Sequence, residues 1–163
     1  MVKKRSSFKE IAMLLQIIDE SYDHRSWHGT NLRGSIRGLT IEQASWRPSR
    51  ARHNIWEVVV HCAYWKYIVR RRILGEKKGS FPLKGSNWFK RPADLSNQAW
   101  RADIQLLEEM HARLRGAIAG LKPRDLKKSP SGSSWTNLQT ISGIASHDLY
   151  HAGQIQLLKR LQK

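Results

Sequence analysis

His147 and His151 stand four residues apart in the run His147-Asp148-Leu149-Tyr150-His151. A helix puts residues so spaced on one face, with Cβ atoms about 5–6 Å apart, where two ring nitrogens can grip one divalent cation. Ile144 and Leu158 continue the same stripe, so the pair is predicted to face the core, where a polar ring without a partner is costly. For a motif this short the alternative is a pair of packed, hydrogen-bonded core histidines. His61 is the natural third ligand, one turn after Glu57 and one turn before Trp65, although a histidine among aromatics is also a packing residue. His24 and His28 form a rival pair, but Gly29 and polar neighbours place them at a helix end, where surface histidines are common. His111 lies on an apolar seam beside Met110 and is read there as packing.

Three histidines on a metal leave coordination positions open for water or a substrate thiolate, whose pKa the metal lowers. Two carboxylates are catalytic candidates. Asp148 resembles the glutamate of H-E-x-x-H metalloproteases only superficially, being one methylene shorter, and orienting a ligand histidine or forming a structural pair is preferred to a role as general base. Glu57 has the same standing, with helix capping as its alternative. Tyr150 and Gln154 are weaker candidates for the walls of the site.

Positioning these groups takes four main helices. The first is predicted to open at a capping box of Ser7 and Glu10 and to run to about Tyr22 on the stripe Phe8, Ile11, Leu15, Ile18. Thr30 or Asn31 can cap a short piece through Leu39, and residues 40–52 read as a loop from which Trp46 folds back onto the core. The second starts at Asn54, with Glu57 completing a capping box, and stops at the basic run Arg70-Arg71-Arg72 and Gly75. Residues 75–95, with three glycines and two prolines, make a long crossover anchored by Trp88 and Phe89. Ser96 caps the third, whose seam Trp100, Ile104, Leu107, His111, Leu114, Ile118, Leu121 steps by four and three without a miss. After a linker of Pro123 and residues 129–134, Thr136 and Gln139 form a capping box for the last helix, with Trp135 as an apolar staple. No strand pair and no internal repeat is visible. The expectation is an all-α chain, one domain over residues 1–163, folded as a four-helix bundle with a long crossover between its second and third helices.

The chain has 163 residues, seven of them Trp, and 40% are hydrophobic, which argues against disorder and for one buried core. Lys and Arg total 29 against 13 acidic residues, a formal charge of +16. The basic residues come in short clusters, among them Lys3-Lys4-Arg5, Lys77-Lys78 and Lys127-Lys128, which reads as a generally basic surface rather than a nucleic-acid groove. Cys62 is the only cysteine, so no intrachain disulfide forms and a reducing, cytoplasmic setting is expected. No membrane association is expected, because no stretch approaches the roughly 20 apolar residues of a membrane span.

The segments Trp27-His28-Gly29, His53 to Trp65 (His-Asn-Ile-Trp-Glu-Val-Val-Val-His-Cys-Ala-Tyr-Trp), Ser86-Asn87-Trp88 and His147 to Ile155 occur in the order found in the DinB-like (DinB/YfiT) superfamily of metal-dependent enzymes, which this chain resembles. The resemblance implies a four-helix bundle, frequently a homodimer, with a three-histidine site for nickel, zinc or another divalent ion. Carried over by motif position, the ligands are His61, His147 and His151. Some relatives use a low-molecular-weight thiol, which implies an S-transferase, or else a hydrolase, acting on a small molecule; the basic surface would suit an anionic one. Two rivals stand beside this reading: a basic protein that binds nucleic acid or another anionic ligand and whose histidines are structural, and a metal-dependent stress protein without turnover.

Overall fold

The protein is described here by a computed structural model covering residues 3–77, 79, 81–130 and 132–163, with side chains from residue 9 onward. Lys78, Ser131 and the side chains of Lys3, Lys4, Arg5, Ser7 and Phe8 lie outside the described residues. The described chain is all-α and holds six helices: α1 (Lys3–Tyr22), α2 (Leu32–Ser35), α3 (Ile41–Ser45), α4 (Ile55–Ile73), α5 (Asn97–Ala119) and α6 (Asn137–Leu161), with a 3₁₀ turn at Pro123–Lys127. Among the described residues no helix is long and apolar enough to cross a membrane.

Helix α4 is the centre of the fold. Every residue from Ile55 to Ala63 is buried, so its first turns need neighbours on all sides. They are supplied by α5 and α6, which pack along it, by α3, and by the crossover residue Phe89. Helix α1 closes the arrangement by packing on both α5 and α6, with a bidentate Arg115–Asp19 pair at 2.7 and 2.8 Å joining α5 to α1.

The apolar core falls into two clusters. One gathers Tyr22, the start of α4, Leu107, Met110 and Ile155; the other gathers Ile11, Leu14, Ile18, Val69, Ile73, Leu114, Ile118, Ile141, Ile144 and Ala145. At the border of the two clusters each long helix contributes a polar or amphipathic side chain: Tyr22, a member of the first cluster, at the end of α1, Lys66 on α4, His111 on α5 and Asp148 on α6. Lys66 and Asp148 form a wholly buried ion pair. The Lys66 ammonium lies 5.0 Å from the centre of the Tyr22 ring, which stacks on His111 at 3.6 Å. Four helices thus meet in one polar layer.

His111 is the seam residue expected from its spacing. Burial first, then the positive charges of Lys66, Arg115 and His24, push its pKa down to about 2. The folded state therefore keeps the ring neutral, whereas the unfolded chain takes up a proton below about pH 6.5, so stability falls as pH drops below that value. His111→Phe retains the stack on Tyr22 and removes this proton linkage. Between pH 6.5 and 4.5 the variant should lose about 2 kcal/mol less stability than the wild type in urea titrations; parallel pH profiles would contradict this.

Several boundaries differ from those expected. Helix α1 begins at Lys3, so Ser7 lies inside it and not at its start. The piece capped by Asn31 ends at Ser35, short of Leu39. Residues 40–52 are not all loop, because Thr40 and Gln43 form a full capping box that starts α3. Ala44 takes the core position there, and Trp46 is only half-buried. At α4 only one arm of the capping box forms: Asn54 accepts from the Glu57 amide, while the Glu57 side chain is committed elsewhere. Trp135, the expected staple, is 62% exposed. The caps at Ser96 and at Thr136 with Gln139 are as expected, and Gly75 ends α4 at a positive φ of 67°.

Candidate metal centre

Helices α4 and α6 bring three imidazoles to one point. The Nε2 atom of His147 lies 3.1 Å from Nε2 of His61 and 3.1 Å from Nε2 of His151. One ligand atom from each of the three lies within 4.8 Å of the other two. His61 and His151 are buried, and His147, at the edge of the buried face of α6, is partly exposed.

The far sides of two rings decide what their near sides can do. His61 donates from Nδ1 to the Asn87 carbonyl oxygen at 2.8 Å, because a carbonyl can only accept. A neutral His61 so oriented carries a bare lone pair on Nε2. His151 is held similarly: Gln154 donates its amide N–H to the Tyr150 hydroxyl at 2.9 Å, leaving Oε1 to accept from His151 Nδ1 at 2.7 Å. Two lone pairs then point at His147 Nε2, and a single N–H there could satisfy only one of them. A cation satisfies all three nitrogens at once. The donors at tetrahedral zinc lie about 3.3 Å apart, close to the spacing found. These residues therefore fit a divalent ion.

Electrostatics favour the ligand form. Burial, followed by the neighbouring histidines, pushes the pKa of His147 down to about 3. Burial lowers that of His61 to about 4, partly offset by its bond to Asn87, and burial also lowers that of His151. All three are therefore neutral at pH 7, as a metal requires.

The crossover builds the wall behind His61. Asn87 adopts a positive φ of 63°, and its side-chain oxygen also accepts from Trp65 Nε1 at 2.9 Å. Trp88 is sandwiched between His61 and His53, with ring centres 3.9 and 3.7 Å away and planes within 11° and 4° of parallel. His53 is in turn held by Glu57 at 2.9 Å. The Glu57 carboxylate takes both arms of Arg47, at 2.8 and 2.5 Å, and the Arg91 amide at 3.2 Å. Burial raises its pKa, but these bonds outweigh that and the net displacement is downward.

Asp148 commits Oδ2 to its pair with Lys66, while burial pushes its carboxyl up against the pull of that ammonium. Cys62, His147 and Asp148 also offer atoms within 4.8 Å of one another. That set makes a poorer site, since burial raises the Cys62 pKa well above its ordinary value and keeps it a thiol, and Lys66 occupies the carboxylate. His24 and His28 are exposed, their rings hydrogen-bonded to Asp23 at 2.7 Å and Ser26 at 3.4 Å.

A family model described as the DinB superfamily matches residues 24–155. The chain belongs to the DinB superfamily. No curated protein and no solved structure gives a significant match. The matched span takes in all three clustered histidines of this DinB-superfamily chain, and also Asn87, Trp88 and Gln154, which hold them. Sequence reasoning had Gln154 only as a wall and passed over Lys66 entirely. Its signal was present: Lys66 on the core face of α4 and Asp148 on that of α6 are opposite charges on two buried stripes. Gln154→Ala should weaken metal binding about 10–100-fold by freeing the His151 ring, read by competition with a chromogenic chelator; an unchanged affinity would rule out that role.

Proposed function

We propose that this chain is a divalent-metal-dependent enzyme, a single four-helix-bundle domain in which His61, His147 and His151 hold a nickel or zinc ion. The carrying observation is the meeting of three Nε2 atoms, two of them bared by the bonds of their own Nδ1 atoms. When bound, a divalent ion supplies Lewis-acid chemistry, lowering the pKa of a water or low-molecular-weight thiol in an open coordination position. The protein's part is orientation. Asn87 and Gln154 fix two rings, Trp88 backs His61, and the partly exposed His147 marks the open side. Glu57 acts as a positioning residue through His53 and Trp88, and Asp148 through a carboxylate oxygen within 4.8 Å of a His147 ring nitrogen. The reaction we favour is S-transfer from such a thiol to a small anionic substrate, with hydrolysis as the alternative outcome.

A cytoplasmic site of action is supported by the lone buried thiol of Cys62. A homodimer is supported by Tyr150, Leu157 and Leu161, exposed apolar side chains along one stripe of α6. The deciding experiment is metal analysis of protein purified without chelator or histidine tag, followed by thiol-conjugation and ester-hydrolysis assays on the loaded protein. About one ion per chain with turnover supports the reading. An ion without turnover reduces it to a metal-binding stress protein. No ion, with DNA or RNA binding that weakens steeply with salt, replaces it with a non-catalytic basic binding protein of charge +16.

A further inference from the structure

A cleft of about 320 Å³ runs between α4 and α6 and ends on the partly exposed ligand-side histidine, His147. Its walls are mostly apolar, formed by Trp65 and Val69 from α4, Ile144 from α6 and Trp135 from the linker before α6, with Ser133, Gln139 and Thr140 adding hydroxyl and amide groups. Arg72 closes the other end, and no acidic residue lines the cleft. Among the described residues Arg72 takes part in no ion pair, although its neighbour Arg70 is paired with Glu76. Trp65 lies beside His147, with ring centres 6.3 Å apart, and Arg72 follows two helical turns later, about 10 Å along the axis. The exposed Trp135, which covers no core, stands over this cleft.

Gly143 lies on the same wall. A glycine inside a helix costs about 1 kcal/mol relative to alanine. No packing reason is visible at this position, since a Cβ there would meet nothing within 4 Å and would project into open space. The absence of a side chain keeps the cleft wide next to His147.

We propose that this cleft binds a small molecule with an apolar body and one carboxylate, the carboxylate held by Arg72 and the opposite end lying against Trp65 and His147. The length, charge and lining select this class: one unpaired cation two turns of α4 beyond Trp65, the neighbour of His147, with mostly apolar walls between. The proposal rests on the metal-enzyme reading for the role of this molecule as substrate, but its binding depends only on the cleft.

The test is calorimetric titration of 4-phenylbutyrate and of its uncharged amide into wild-type, Arg72→Gln and Gly143→Leu proteins. Metal-free protein is used first, so that a carboxylate cannot be drawn to an ion, and zinc-loaded protein second. The wild type should bind one 4-phenylbutyrate per chain, with the amide and Arg72→Gln each about five- to tenfold weaker. Gly143→Leu should fill the cleft and weaken binding more than about twentyfold, while leucine, a better helix former than glycine, keeps thermal stability at or above that of the wild type. Equal affinity in all three proteins, or no saturable binding to the wild type, overturns the proposal; equal affinity of acid and amide overturns the carboxylate. A wild type that holds no metal but shows these ratios sinks the enzyme reading and leaves the cleft standing.

Discussion

His61→Ala and His147→Ala should each reduce bound divalent metal from about one ion per chain to a trace, with the affinity loss exceeding the 10–100-fold that follows loss of an outer partner. The two variants fail for related reasons. His61 is the only ligand from α4, so without it the remaining pair on α6 grips an ion with two nitrogens from one helix. His147 is the middle nitrogen, 3.1 Å from both others, and its loss leaves His61 and His151 without a shared neighbour. Metal stoichiometry by mass spectrometry after dialysis, with helical content by circular dichroism as a control, reads the result. Variants that retain a full complement of metal would show that the ion sits elsewhere.

The second large effect lies in the polar layer. Lys66→Met should destabilise the protein by about 3–5 kcal/mol, because it leaves the Asp148 carboxylate buried and unpaired. Asp148→Leu should cost a similar amount by stranding the ammonium over the Tyr22 ring. The double variant should recover most of either loss, since two apolar side chains join the clusters on each side and neither charge remains. Urea unfolding of the four proteins gives the coupling energy directly. Additive losses would mean that the pair does not hold the layer together. The metal assay on the double variant then separates stability from orientation: if Asp148 positions His147, metal affinity falls even though stability returns.

These two experiments bear on different parts of one molecule, and they correspond to what could and could not be read from the chain. Where a side chain's role depends on its own helix, the sequence is legible. The seam of α5 predicted a buried His111, and the caps at Ser96 and Thr136 were readable because capping is a contact over three residues. Where a role depends on partners outside the residue's own helix, the local pattern misled. Glu57 reads as the second half of a capping box, but Arg47, His53 and Arg91 claim its carboxylate, and charge-assisted bonds outweigh a single cap. Trp135 reads as a staple, yet it stays exposed over the cleft.

The amino-acid sequence by itself determined that the chain is helical, that His147 and His151 share a face, and that a third histidine waits on another apolar helix, because helical period and capping act over a few residues. Only the tertiary structure decided that the rings of His61, His147 and His151 meet through Nε2, which tautomers Asn87 and Gln154 impose, and that Lys66 seeks Asp148 across 82 positions of chain. Those contacts arise when helices distant in sequence pack side by side, and no local periodicity encodes which rotamer or which neighbour that packing selects.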